Sequence, residues 1–319
     1  MKKALLMLAA AVLVGAGMAP VDVDAATRKK AVATKKKAPR VAKQIKAKKS
    51  YHRNKAAPRR ASLDDAQNLA LQSGAALVLD QATGTVLFEK NSSAVLPIAS
   101  ITKLMTAMVV LDAKPDLNEI LSVTDEDVDV LKGTRSRLKV GTHLAREEML
   151  RLALMSSENR AASALSRHYP GGRVAFIGAM NQKAQLLGLA DTRFQDPTGL
   201  TAANVSSPRD LAKLVDTAHQ YPLIREFSTT SEGEFSIAGR PQQFRNTNML
   251  VKNPSWEIGL SKTGYISEAG KCLVMQAWFN NKPTIIVLLD SVGKLTRVGD
   301  ANRIKRWIEH ASLARPTAG

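Results

Sequence analysis

The stretch PIASITKLMTAMVVLD, residues 97–112, constrains the fold more than any other part of the chain. Leu104, Met108 and Leu111 share one face of a predicted helix while Ala107 and Val110 occupy others, so the helix is apolar almost all round. Such a helix needs neighbours on every side and belongs in the middle of a domain. One cation stands in it, Lys103, three residues after Ser100. Residues i and i+3 of a helix lie one turn apart on the same face, so Ser100 Oγ and Lys103 Nζ are placed to meet.

That pairing has a chemical use. A serine hydroxyl is a weak nucleophile and needs an adjacent base. Lysine serves only when neutral, and from a reference pKa near 10.4 neutrality at pH 7 costs roughly 4–5 kcal/mol in water. Burial and neighbouring cations lower the pKa and offset that cost. The helix start adds free N–H groups and a positive dipole end, which favour negative charge developing at Ser100. The tetrapeptide S-x-x-K alone carries little information, because it recurs as Ser136 to Lys139 (SRLK) and Ser291 to Lys294 (SVGK). The first of these sits among arginines and the second holds a glycine just after a strand, and we read neither as catalytic.

Around the helix, AALVLD (75–80) and TVLFEK (85–90) flank QATG and predict a β-hairpin. Ser62 with Asp65 resembles a capping box opening a short helix through about Leu71. Residues 113 to 227 are mostly helical in pattern, as in REEMLRLALM and SPRDLAKLVDTA, punctuated at YPGG and DPTG. After residue 257, IGLSKTG, CLVMQAWF and PTIIVLLD predict short apolar strands, and DANRIKRWIEHASLA a closing amphipathic helix. The expected fold class is α+β: early hairpin and late strands in one antiparallel sheet flanked by helices, with a mostly helical central block and the last helix packed on the sheet.

The remaining sequence is of a different kind. Lys2 and Lys3 precede a 16-residue apolar stretch, Ala4 to Ala19, and then Val23-Asp24-Ala25. This predicts a secretory signal peptide over residues 1–26 rather than a retained anchor, since a span needs about 20 apolar residues. Residues 27–60 hold 15 Lys or Arg and no acidic residue, whereas 61–319 carry a net charge of only +3. We expect a disordered basic arm at 27–60, either a solvated tether or an element that concentrates the protein on an anionic envelope surface. Residues 61–319 are then one catalytic domain, exported to the periplasm and soluble or peripherally associated with the membrane. Export makes nucleic acid an unexpected partner. Cys272 is the only cysteine, so no internal disulfide forms, and we read it as buried strand filler. His52, His143, His168, His219 and His310 are scattered without metal-ligand spacing. We expect no metal and no cofactor.

Two further motifs join the serine segment. SSENRAA supplies Ser157 and Asn159 at the end of the helix REEMLRLALM, and SKTGY supplies Lys262, Thr263 and Gly264 in a predicted strand. S-x-x-K, S-D-N and K-T-G together are the signature set of penicillin-binding proteins and class A β-lactamases. Over about residues 75–293 the chain resembles the D-alanyl-D-alanine peptidases, serine enzymes that act on peptidoglycan and are acylated by penicillin. The strings that carry the likeness are IASITKLMTAMVVLDA, LMSSENRAA, YPGG, NTNMLV and SKTGY. SSENRAA is similar to the soluble endopeptidase branch of the low-molecular-mass penicillin-binding proteins, where carboxypeptidases usually show S-G-N.

The resemblance implies a β-lactamase/DD-peptidase-like fold, peptidoglycan peptides as substrate and β-lactam antibiotics as covalent inhibitors. It also implies that Ser100 attacks a D-alanyl carbonyl with Lys103 as base, and that Ser157 and Lys262 relay a proton to the leaving amine. Asn159 orients Lys103 and binds the substrate amide, Lys262 and Thr263 line the pocket with Gly264, and the backbone N–H groups of Ser100 and Tyr265 form the oxyanion hole. A β-lactamase is disfavoured, because no E-x-x-L-N loop lies between Asn159 and Lys262. A carboxypeptidase is the closer alternative, yet those usually continue into a further β domain and an anchor, and this chain ends about 55 residues after Gly264. A non-enzymatic basic envelope-binding protein explains the arm but not three motifs in order.

Overall fold

A computed structural model describes residues 69–314, with side chains to residue 311. The expected signal peptide, the basic arm and the Ser62–Asp65 capping box lie outside the described residues. Leu69 to Leu71, expected at the end of a short helix, are not helical. Here the chain is held open from both sides, since Lys90 Nζ donates to the Leu71 and Ser73 carbonyls and the buried Asp300 carboxylate accepts the Gln72 and Ser73 N–H groups.

The expected hairpin forms as β1 (Ala75–Asp80) and β2 (Val86–Lys90). A short strand β3 (Leu96–Pro97) leads into the 3-10 turn Ala99–Thr102 and then helix α1 (Lys103–Asp112). Every residue of α1 from Lys103 to Val110 is buried. Its start has no side-chain cap, so burial of Leu104, Met105, Met108, Val109 and Val110 holds it, at about 1.5–3 kcal/mol per side chain. After β4 (Ile120–Ser122) and β5 (His143–Ala145), which pair, come α2 (Arg146–Met155), α3 (Asn159–Arg167) and α4 (Gly172–Leu186). β6 (Val205–Ser206) pairs with β3, and α5 (Pro208–Ala218) and α6 (Pro222–Thr229) follow. Helix α5 starts where its sequence says it should: Ser207 accepts the Asp210 N–H and Pro208 opens the first turn. Helices α2 to α6 enclose α1, as its all-round apolar character requires.

Next stands a hairpin that the sequence pattern does not announce, β7 (Glu232–Ile237) and β8 (Arg240–Arg245). Ala238 and Gly239 turn it at φ 51° and 73°, a left-handed pair suited to a two-residue hairpin. Phe235 and Phe244 stack edge to face across it at 5.5 Å. The long strands β9 (Glu257–Ile266), β10 (Gly270–Phe279) and β11 (Lys282–Ser291) then complete the main sheet, in the order β2-β1-β11-β10-β9 with every pairing antiparallel, and α7 (Thr296–Ala314) is the last described element.

The apolar runs of β10 and β11 are continuous because both faces of those strands are covered. Leu77, Cys272, Val274, Ile285, Val287 and Leu289 face the helical block. Ala76, Val78, Leu273, Met275, Ile286 and Leu288 face α7 through Ala301, Ile304, Trp307 and Ile308. Cys272 is the buried strand residue expected, and burial pushes its thiol up to about 11. Among the described residues no helix is long and apolar enough to cross a membrane. Two consequences matter for the site: β9 is an edge strand, and the 3-10 turn that leads into α1 packs against it.

Candidate active site

Ser100 lies within the 3-10 turn rather than in the α-helix. Three residues per turn bring positions i and i+3 into eclipse, and Ser100 Oγ lies 2.9 Å from Lys103 Nζ. The turn is clamped from two sides by glycines. A Cβ on Gly264 of β9 would stand 2.8 Å from the Ile98 carbonyl oxygen and 3.2 Å from the Ser100 nitrogen. One on Gly199, whose φ is +83°, would stand 1.9 Å from the Ala99 oxygen. Ala99 itself is held at φ 47°, a conformation that costs a non-glycine residue free energy and persists because both neighbours press on it.

Asp196 builds the loop that carries Gly199. Its carboxylate accepts the N–H groups of Thr198, Gly199 and Thr201 and the Thr198 hydroxyl. The Thr198 carbonyl is thereby aimed at Lys103, whose Nζ donates to it at 2.7 Å and to Asn159 Oδ1 at 2.7 Å. Lys103 is fully buried. Desolvation brings its pKa down to about 7, against the opposing pull of Asp196 and Glu158. An amine on that threshold exchanges its proton readily near neutral pH.

The second motif sits where α2 gives way to α3. Ser157 takes φ 60°, which turns its hydroxyl toward β9, and Asn159 opens α3. Lys262 Nζ donates to Ser157 Oγ at 2.9 Å and to the Thr263 carbonyl at 3.0 Å. It too is buried, and burial first, then the charges of Lys103 and Arg297, hold its pKa well below the usual lysine value. Thr263 Oγ1 donates to Thr247 Oγ1 at 2.6 Å. Tyr265 is 60% exposed, with Lys271 Nζ 4.3 Å above its ring.

The three motifs therefore meet: Ser100, Lys103, Ser157, Asn159, Lys262, Thr263 and Gly264 surround one point at the edge of the sheet. Several neighbours were not singled out in the sequence. Asp196 and Thr198 belong to DPTG, read only as punctuation although aspartate before a turn threonine and glycine is an Asx-turn signal. Glu158 is buried and accepts from Ser136 Oγ at 2.6 Å. Arg297 approaches from behind β9, donating to the Gly264 and Cys272 carbonyls at 3.0 and 3.2 Å. Nothing in its local sequence marks it. The two other S-x-x-K serines have structural partners, Glu158 for Ser136 and Ser73 for Ser291.

Comparison with known proteins identifies the family. Residues 62–293 match the model of the peptidase S11 family, D-alanyl-D-alanine carboxypeptidase. The chain is 50% identical over 254 residues to a D-alanyl-D-alanine endopeptidase of Pseudomonas aeruginosa, covering 79% of this chain and 81% of that one. Its fold is similar to that of the Streptomyces K15 DD-transpeptidase, with a TM-score of 0.69 and 29% identity over 74% of this chain and 97% of that one. It is similar too to penicillin-binding protein D2 of Listeria monocytogenes in its ampicillin-bound form, with a TM-score of 0.64 and 28% identity over 75% of this chain and 98% of that one. With the serine, lysine and K-T-G strand gathered at one edge of the sheet, the chain belongs to the peptidase S11 family of D-alanyl-D-alanine peptidases.

Proposed function

We propose that this protein is a serine D-alanyl-D-alanine endopeptidase that cleaves peptidoglycan cross-links through an acyl-enzyme and is itself acylated by β-lactams. One observation carries the mechanism: the three neighbours of Lys103 Nζ are two carbonyl oxygens and one hydroxyl. A neutral amine has two N–H bonds and one lone pair. The oxygens of Asn159 and Thr198 can only accept, so they take the two N–H bonds, and the lone pair is left for the Ser100 proton.

Ser100 Oγ then attacks the D-alanyl carbonyl carbon as its proton passes to Lys103. The oxyanion lies against the N–H groups of Ser100 and Tyr265, each contributing on the order of 3 kcal/mol. The C–N bond breaks when the leaving amine gains a proton through Ser157 and Lys262, and water later attacks the ester to release the acyl group and free Ser100. Asn159 binds the substrate amide, and Lys262, Thr263 and Gly264 line the pocket. The outer edge of β9 offers backbone groups to which an extended peptide adds as a further strand.

Support for the endopeptidase reading comes from the S-E-N motif and from the name of the 50% identical relative; a stem-trimming carboxypeptidase is the alternative. The ampicillin-bound relative supports β-lactam acylation. We assign residues 1–26 to an export signal, 27–60 to a basic arm that meets an anionic envelope surface, and the enzyme to the periplasm. Digestion of purified cross-linked muropeptides tests the activity. Monomers with their terminal D-alanine intact are expected, and loss of terminal D-alanine without monomer formation contradicts the endopeptidase assignment. Ser100→Ala is expected to abolish both digestion and labelling by a fluorescent penicillin, and Lys103→Arg to fail likewise, because a guanidinium keeps its proton.

A further inference from the structure

The proton accounting at Lys103 holds only if Asn159 presents its oxygen, not its NH2 group, to the amine. The two ends of a carboxamide are nearly the same size, and reversal would be damaging. A neutral Lys103 would then receive an N–H from Asn159 on its lone pair, and the electrons needed for the Ser100 proton would be occupied. Something must hold the amide in one sense, and the hydrogen bonds beyond it say what.

Asn159 Nδ2 donates to Thr134 Oγ1 at 3.1 Å. The Thr134 hydroxyl in turn donates to Asp129 Oδ2 at 2.7 Å. The Asp129 carboxylate also accepts the N–H groups of Leu131, Lys132 and Thr134 at 2.8–2.9 Å. Partial burial pushes its carboxyl up, but the bonds from Lys132, Thr134 and Leu131 outweigh it and hold the carboxyl below its usual range. It is therefore ionised at neutral pH and can only accept.

From that fixed end the sense of each bond follows. Asp129 accepts, so the Thr134 hydroxyl proton points at Asp129 and the Thr134 oxygen must accept. Asn159 therefore turns its NH2 to Thr134 and its oxygen to Lys103. Lys103 gives an N–H to that oxygen, and its lone pair faces Ser100. We propose that Asp129 and Thr134 are positioning residues for acylation, setting through Asn159 the direction of the hydrogen bonds at Lys103. The proposal rests on the serine-peptidase reading above.

The turn that carries them is pinned. Four bonds to Asp129 close residues 129–134, and Lys132 pairs with Glu268 in the turn between β9 and β10. Ser136 and Arg137 continue the attachment, Ser136 to Glu158 and Arg137 to the Gln243 carbonyl and the Phe244 ring. Val130 at its tip is 94% exposed, so packing does not hold the turn in place and its hydrogen bonds do.

The test is the rate of acylation of the full chain by a fluorescent penicillin, followed across pH, in Thr134→Val, Thr134→Ser and Asp129→Asn, with thermal unfolding of each. Valine keeps the shape of Thr134 and deletes the hydroxyl. Loss of one net hydrogen bond holding the amide lowers the acylation rate about five- to tenfold. Because the freed NH2 favours the neutral amine, the acid limb of the profile also moves to lower pH. The ionisable groups around Lys103, namely Asp196, Glu158, Lys262 and Asp129, are unchanged in the two Thr134 variants, so a shift of the limb in those reports the amide. Thr134→Ser restores the hydroxyl and with it both rate and limb. In Asp129→Asn the new carboxamide offers donor and acceptor alike, so the sense of the chain is lost and the rate falls while the melting temperature drops with the weakened turn bonds.

Acylation of Thr134→Val within twofold of the unmodified chain, a rate loss with an unmoved limb, or an equal loss in Thr134→Ser overturns the proposal. If the unmodified chain is not labelled at all, the peptidase reading itself fails and this proposal with it. Labelling of the unmodified chain alongside an unaffected Thr134→Val sinks the positioning role alone.

Discussion

Replacing Lys103 by methionine keeps an unbranched side chain, one heavy atom shorter, and removes its ionisable group, which isolates what a buried amine does to stability. Burial, the main cause, brings the Lys103 pKa from 10.5 to about 7, so the folded protein holds this proton less tightly than the unfolded chain does. Below pH 7 both states carry the ammonium and the penalty is complete, roughly 5 kcal/mol at 1.36 kcal/mol per pH unit. Between the folded and unfolded pKa values the unfolded chain binds the extra proton, so stability rises with pH and the penalty is relieved. From pH 7 to pH 9 the unmodified protein therefore gains about 2 kcal/mol relative to Lys103→Met. Hydrogen bonds that methionine cannot make, such as those to the Thr198 and Asn159 oxygens, enter equally at both pH values; because the Lys103 charge also lowers the Lys262 pKa, the comparison is made in a Lys262→Met background so that this second amine drops out. Urea unfolding of the two proteins at pH 7 and pH 9 measures this double difference. A stability gap that stays constant across that range refutes the claim that Lys103 is neutral in the folded enzyme near neutral pH.

Gly264→Ala puts a methyl group 2.8 Å from the Ile98 oxygen and 3.2 Å from the Ser100 nitrogen, so β9 must retreat from the Ser100 turn. A stability loss of about 1–3 kcal/mol and a fall of at least about tenfold in penicillin acylation are expected, and acylation within twofold of normal contradicts the close approach. Glu158→Gln leaves an acceptor for Ser136 but removes a charge that favours protonated Lys103, so the acid limb of the acylation profile moves to lower pH; movement to higher pH contradicts the assignment. Asp300→Ala strips the acceptor from the Gln72 and Ser73 N–H groups and the Ser73 hydroxyl in a buried site, at a cost of about 3 kcal/mol read as a lower melting temperature. Acylation per folded molecule is unchanged well below that temperature, and a large loss there would place Asp300 in the site's machinery instead.

Some of this architecture was legible because local sequence and tertiary demand coincide. The all-round apolar segment at Leu104–Val110 had to be central, and it is; the runs CLVMQAWF and PTIIVLLD form the strands expected of them, and the structure covers both of their faces. Ser100 and Lys103 meet as their spacing predicts, although through a 3-10 turn whose three-residue period serves the pair better than an α-turn would. The β7–β8 hairpin was hidden because its exposed positions are polar, its turn uses alanine before glycine, and Pro241 interrupts the second strand. Leu69–Leu71 looked helical in isolation, but a carboxylate more than 200 residues away claims the adjacent N–H groups. Of the site, the motif residues carry their own signature, whereas Thr134, Thr198 and Arg297 reach it through hydrogen bonds that only the fold creates. Polar side chains of that kind look the same in sequence whether they cap a turn or orient a base.

The state of one amine decides the account. Selective 15N labelling of lysine, with the Lys103 Nζ resonance identified by its absence in Lys103→Met, allows that nitrogen to be titrated directly in the folded protein. A midpoint near pH 7 is predicted from its burial. A nitrogen that stays protonated up to the ordinary lysine range, near 10.5, would mean that Ser100 has no base at this position, and the chemistry proposed for the site would be wrong.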